Sequence, residues 1–170
     1  MLGSLYSIKQ SILRRYYKGQ VAKQCKSHIE PLRVNGPSRV TGTTVLGKNV
    51  NFNGMEIGGG GNVTIGDNFH SGRDCLIISQ NHKYDGGNAI PYDSQEYICK
   101  DVVIEDNVWL GDRVIVLAGV TIREGAIIQA GSVVVKDIPR YAIAGGHPAQ
   151  VFRYRDIKHY ERLKKEGKFH

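Results

Sequence analysis

Aliphatic residues recur through the middle of the chain at a strict interval of six: Ile104, Leu110, Val116, Ile122, Ile128 and Val134. Four places after each lead stands Val108, Val114, Val120, Ala126, Ser132 or Ile138, small or β-branched. The position directly after the lead varies freely, from Glu105 to Leu117 to Gln129. A helix with about 3.6 residues per turn does not hold one face at every sixth position, and a hairpin sheet would alternate at period two between turn signals. The interval of six instead predicts a coil of three short strands, each hexad forming one side of a triangular prism. The lead aliphatic fills the interior and the small residue packs near a corner.

The same period runs earlier, through Leu46 and Phe52 and then Ile65, Ser71 and Ile77. Phe52 and Ile65 are thirteen apart, one more than two hexads, and the run Gly58-Gly59-Gly60-Gly61 between them is read as a bulge that absorbs the extra residue. Between Asn81 and Val103 the period disappears into the polar, aromatic segment HKYDGGNAIPYDSQEYICKD. This predicts a loop extruded from the coil at about 82–102, and long loops on rigid solenoids commonly carry function.

The ends follow other rules. Leu5, Ile8, Ile12, Leu13 and Tyr16 recur at helical spacing with Arg14, Arg15 and Lys18 nearby, which predicts an amphipathic helix over 4–18. Its stripe is expected to pack on the prism or on a neighbouring subunit, the alternative being an anionic lipid surface. Residues 153–168 read as a basic helix with a solvated face. The expected organisation is therefore an N-terminal segment 1–38, an all-β solenoid (a parallel β-helix) over 39–152 and a C-terminal helix over 153–170.

Composition narrows the partners. The excess of 23 basic over 16 acidic residues gives +7, which suits a polyanion: nucleic acid, an anionic membrane surface or the phosphates of coenzyme A. No apolar run approaches the roughly 18 residues of a membrane span, and the N-terminus lacks secretory-signal features, so a cytoplasmic, membrane-peripheral placement is expected. Cys25, Cys75 and Cys99 form no C-x-x-C pair, so neither a zinc knuckle nor a disulfide framework is expected, and Cys75 falls at an inward position. No metal is expected.

His82, in SQNHKYD, stands where the repeat stops and the loop begins. An imidazole titrating near neutrality suits proton transfer. Asp85, Asp93, Glu96 or a backbone carbonyl could orient it. Trp109, the single tryptophan, lies at an outward position between Val108 and Leu110, a suitable wall for a groove.

GNVTIGDN (61–68), DNVWLGDRVIVLAGVTIREGAIIQAGSVVVKDIP (106–139) and AGGHPAQV (144–151) resemble the bacterial hexapeptide-repeat O-acetyltransferases over roughly 40–155. The likeness is strongest to those acting on maltose, galactosides and capsular or lipopolysaccharide sugars. NHKYDGG and the Tyr-rich tail also resemble the xenobiotic acetyltransferases that act on chloramphenicol and streptogramins. The resemblance implies a left-handed β-helix, a homotrimer with sites between subunits, acetyl-CoA as donor, and a small-molecule or saccharide acceptor; nucleic acid is not an expected partner. It implies His82 as catalytic base. Acceptor contacts are implied for Asn51, Asn53, Tyr84, Asp93 and Trp109. Coenzyme A contacts are implied for Trp109, Gly111, Asp112, Ala130, Val135, Lys136 and Arg153.

Two positions depart from the family pattern: Gln150 replaces a usual basic residue, and Asp112 replaces a small hydroxyl residue that often holds the thioester oxygen. An ionised carboxylate donates no hydrogen bond, so backbone N–H groups must serve there. A γ-type carbonic anhydrase needs three zinc-binding histidines at close repeat spacing, and His70 and His82 are twelve apart with no third nearby. A non-catalytic β-helix scaffold is the rival of a different class.

Overall fold

The computed structural model describes the backbone of residues 2–170 and the side chains from residue 7 onward. The expected Leu5 of the N-terminal stripe therefore lies outside the described side chains. The repeat winds into a hexapeptide-repeat left-handed β-helix, a parallel solenoid with a helix at either end.

Strands stack in parallel on three faces. The first holds Val63–Ile65, Val102–Ile104 and Thr121–Ile122; the second His70–Ser71, Trp109–Leu110, Ile127–Ile128 and Ala142–Gly146; the third Met55–Gly58, Cys75–Ile78, Ile115–Val116 and Val133–Val134. The six lead aliphatics, Ile104 to Val134, are all fully buried, as is Cys75, and the small residues four places later line the corners, also buried. Alternation decides this: on a strand, the neighbour of an inward residue points out. Within the prism, Phe52 and Phe69 meet edge to face with centroids 5.9 Å apart.

Registers locate every irregularity. Trp109 pairs with Ile127, 18 residues on, but with His70, 39 residues back: one turn plus an insertion of 21. The insertion leaves the third face after Ile78 and returns to the first at Val102. It is less irregular than expected, because Gln80–Lys83 and Asp93–Cys99 pair antiparallel, with His82 opposite Tyr97. The glycine run absorbs more than one residue. Asn51 (second face) to Glu56 (third) is five steps and Glu56 to Thr64 (first) is eight, against six and six for Trp109, Ile115 and Thr121. The corner after Asn51 is one short and the Gly58–Gly61 corner two long, and the net is the single extra residue seen in sequence.

A rung also precedes the periodic stretch. Ser27–Val34 pairs with Thr44–Phe52, burying Leu32 and Val34. Ahead of it, α1 (Leu2–Gln24) runs past the expected end at residue 18. Its last turns dock through buried Val21, with Tyr17 and Ala22 packed beside it. The expected stripe is not packed on the prism: Ile8, Ile12 and Tyr16 are exposed. The basic C-terminal helix is shorter than expected. Ala149–Tyr154 instead extends the second face antiparallel to Ala142–Gly146, and α2 (Ile157–Lys165) starts where the Asp156 side chain accepts the His159 N–H. Among the described residues, no helix is long and apolar enough to cross a membrane.

Candidate active site

The corners of the prism are held by carboxylates reaching down one turn. Asp112 Oδ1 accepts the backbone N–H of Arg73 at 2.8 Å, Asp106 that of Asp67 at 2.7 Å, and Asp67 that of Lys48 at 2.7 Å. At these corners the turn below must carry glycine: a Cβ on Gly72 would lie 2.4 Å from Asp112 Oδ1 and 2.5 Å from its backbone nitrogen. Gly111 is bound in the same way to the turn above, where a Cβ would lie 2.6 Å from the nitrogen of Ala130. Asp112 is thus engaged as an acceptor.

On the second face the outward positions form a ladder, one residue per turn: Asn51, His70, Trp109, Ile127 and Ile143. A groove of about 690 Å³ opens beside it and brings together Asn53, Trp109, Gly111, Asp112 and Ala130. Trp109 is half exposed there. An adjoining cavity of about 510 Å³, under α2, contains Asn51 and Arg153 and shares His70, Ile127 and Ile143 with the groove. Among the described cavities, neither of these two is lined by His82, Tyr84, Asp93, Val135 or Lys136. Val135 and Lys136 are exposed on the coil and Tyr84 on the loop.

A polar network floors the groove. Asn35 Nδ2 donates to Asn51 Oδ1 at 2.9 Å and to Asn53 Oδ1 at 3.0 Å. Asn53 Nδ2 donates to the Ser71 carbonyl at 2.7 Å and lies 3.3 Å from His70 Nε2, which accepts when Nδ1 carries the proton. Burial, reinforced by the His170 ring whose centroid lies 5.9 Å away, holds His70 below the ordinary histidine range. A neutral His70 beside Trp109 is able both to donate and to accept. The sequence pointed to His70 only as a zinc ligand to be set aside, and to no site role for Gln129 or Phe152, yet all three line the groove. The signal was present for His70: like Trp109, it directly precedes an inward residue, Ser71 in one turn and Leu110 in the next.

His82 sits on the extruded hairpin. Its ring stacks on Tyr92 with centroids 4.0 Å apart and planes 20° apart, and Tyr97 lies across it at 4.7 Å. Nδ1 is buried with no hydrogen-bond partner among the described residues. Lys83 and Glu96 pair across the hairpin at 2.6 Å. Asp93 is buried, and its carboxylate accepts the backbone N–H groups of Asn88 and Gln95, both at 2.9 Å; these hydrogen bonds hold it below the usual carboxylate range. It structures the tip of the loop rather than touching the imidazole. Among the described residues no cluster of three or more metal-ligating side chains occurs.

Known proteins resemble this chain both in sequence and in shape. Residues 101–136 match the family model described as bacterial transferase hexapeptide (six repeats). A Saccharomyces cerevisiae protein whose name marks it as a candidate acetyltransferase is 34% identical over 112 residues, which cover 55% of this chain and 57% of that relative's length. A galactoside acetyltransferase solved in complex with coenzyme A superposes with a TM-score of 0.71 at 29% identity, over 85% of this chain and 70% of its own. A hexapeptide-repeat-containing acetyltransferase from Vibrio cholerae does so with a TM-score of 0.64 at 30% identity, over 86% of this chain and 80% of its own. With a matching repeat, a matching fold and most of both chains aligned, the protein belongs to the hexapeptide-repeat acetyltransferase family.

Proposed function

We propose that the protein transfers an acetyl group from acetyl-CoA to a hydroxyl of a sugar, with a cell-envelope or capsular saccharide precursor as acceptor and the reaction placed in the cytoplasm. The observation that carries this reading is the groove where Trp109, Gly111, Asp112 and Ala130 meet on one edge of the coil, beside the Asn53–His70 network. A pantetheine arm fits along a corner where Gly111 lets the turns approach closely, and hydroxyl-rich acceptors suit a floor of amides and a neutral imidazole. The relative solved with coenzyme A supports the same donor.

In the proposed step the acceptor oxygen attacks the thioester carbonyl carbon while His82 takes the hydroxyl proton. The tetrahedral oxyanion then collapses, the C–S bond breaks, and the departing thiolate recovers a proton from the imidazolium. Asp112 is already committed to the Arg73 N–H, so backbone N–H groups stabilise the oxyanion. Lys136 and Arg153 meet the phosphates of coenzyme A.

His82 leaves the coil between the third and first faces, whereas the Trp109 groove opens on the second. The reading therefore includes a homotrimer in which His82 of one chain serves the groove of its neighbour. The test is release of coenzyme A, followed with a thiol reagent, over a panel of sugars. His82→Ala is expected to keep fold and acetyl-CoA affinity while turnover falls about 10²–10⁴-fold. Coenzyme A binding with no turnover on any acceptor would instead favour a non-catalytic scaffold, and near-normal turnover in His82→Ala would remove the imidazole from the mechanism.

A further inference from the structure

Helix α1 contains Lys9, Arg14, Arg15, Lys18 and Lys23 and no acidic residue. Among the described residues only Lys18 of these has an ion pair, to Glu30 at 2.8 Å. Ile8, Ile12 and Tyr16 are spaced by four, so they form one stripe along the helix, and each is more than half exposed. Lys9 and Arg15 stand on the two edges of that stripe at about 100° per residue. Val21, the residue that docks α1 on the coil, follows Ile12 by nine residues, or two and a half turns, and so lies on the opposite side. The helix thus uses one face to attach to the prism and presents the other, apolar with basic margins, directly away from it. Covering that stripe with the prism would require releasing Val21.

We propose that this outer face of α1 is a docking surface for an anionic lipid bilayer. The helix lies flat in the headgroup region with Ile8, Ile12 and Tyr16 entering the acyl boundary and Lys9, Arg15 and Lys23 among the lipid phosphates and carboxylates. Charge selects this occupant over a second copy: two α1 helices whose stripes carry Lys9, Arg15 and Lys23 repel when those stripes meet, whereas an anionic surface attracts these cations. Tyr16 is braced edge to face by Tyr17, with centroids 5.8 Å apart, and its exposed ring, an apolar body with a polar hydroxyl, suits an apolar–polar boundary. Docking would hold the enzyme beside membrane-borne acceptors, yet it is independent of whether the protein transfers acetyl groups.

The test is co-sedimentation of the full-length protein with phosphatidylserine–phosphatidylcholine vesicles and with phosphatidylcholine alone, alongside light scattering for oligomeric state. Binding is expected only to the anionic vesicles, and to be lost in high salt. Lys9→Glu/Arg15→Glu should weaken it roughly twentyfold or more, and Ile8→Glu/Ile12→Glu should abolish it, with coenzyme A release unchanged in detergent-free buffer. Equal binding to neutral vesicles, no binding to anionic ones, or binding unaffected by both double variants overturns the proposal. A fall in oligomer mass for Ile8→Glu/Ile12→Glu with vesicle binding intact overturns it in favour of a second copy. Failure of acetyl transfer on every acceptor, with vesicle binding as expected, would count against the enzymatic reading alone.

Discussion

Replacing Gly72 by alanine tests how closely the turns are bound to one another beneath the groove. Gly72 has no left-handed backbone requirement, so the effect is purely steric. Its new Cβ would stand 2.4 Å from Asp112 Oδ1, 2.5 Å from Asp112 N and 2.6 Å from the Gly111 carbonyl carbon. Two of these are backbone atoms that cannot swing aside. Relief to an ordinary contact of about 3.4 Å opens the two turns locally by about 1 Å. That stretches two hydrogen bonds that join them, Gly72 N–H to the Leu110 carbonyl at 2.7 Å and Arg73 N–H to Asp112 at 2.8 Å. Losing two such bonds costs about 1–3 kcal/mol, and overpacking adds about 1–3 kcal/mol. The narrower unfolded ensemble of alanine returns about 0.4–1 kcal/mol. We expect a net loss of about 2–4 kcal/mol, read by urea denaturation followed by far-UV circular dichroism at fixed protein concentration. Acetyl-CoA affinity should fall as well, because Gly72 and Asp112 both line the groove. Adding Asp112→Ala should not restore stability, since the backbone clashes remain. A Gly72→Ala protein as stable as the wild type, or one fully rescued by Asp112→Ala, would refute the steric account.

Other outcomes follow from the site and its supports. Tyr92→Leu should lower turnover roughly 2–10-fold through loss of the His82 stack, with KM for acetyl-CoA unchanged and Tyr92→Phe near wild type; steady-state kinetics on the three proteins decides it. Lys136→Ala should weaken acetyl-CoA binding more than acceptor binding, checked by calorimetric titration, and an unchanged donor affinity would count against its phosphate role. Glu124 accepts hydrogen bonds from Tyr160 at 3.1 Å and Arg140 at 2.8 Å and pairs with Lys164. Burial would raise its carboxyl, but these partners, Lys164 foremost, leave it below the usual range. The folded state therefore holds this proton less tightly than the unfolded one, and the stability is present above the ordinary glutamate range and lost as pH falls through the lowered value. Glu124→Gln should cost about 1–2 kcal/mol at neutral pH and flatten the acid limb of the denaturation profile.

The coil was legible because its signal is local and repeated. One aliphatic every six residues can satisfy a three-sided interior in only one way, and the six leads from Ile104 to Val134 are all buried as that pattern requires. The extruded loop was legible as the break in that period. The length of α1 was not, since its last turns lack an apolar stripe and are held by tertiary contact at Val21. Nor was the end of the coil, where Arg153 and Tyr154 are drawn into a strand by pairing with Ile143 and Ala142.

By itself, then, the sequence determined the solenoid, its inward residues and the identity of the chemistry-bearing types, because burial on a strand depends only on position within the hexad. The tertiary structure alone decided which of those types share a wall. His70 and Trp109 become neighbours only when the 21-residue insertion is removed from the path between them. His82, by contrast, leaves the coil on that same insertion, between the third and first faces, and is lodged between two tyrosines. Contact across turns depends on the summed length of everything between, and no local pattern encodes that sum.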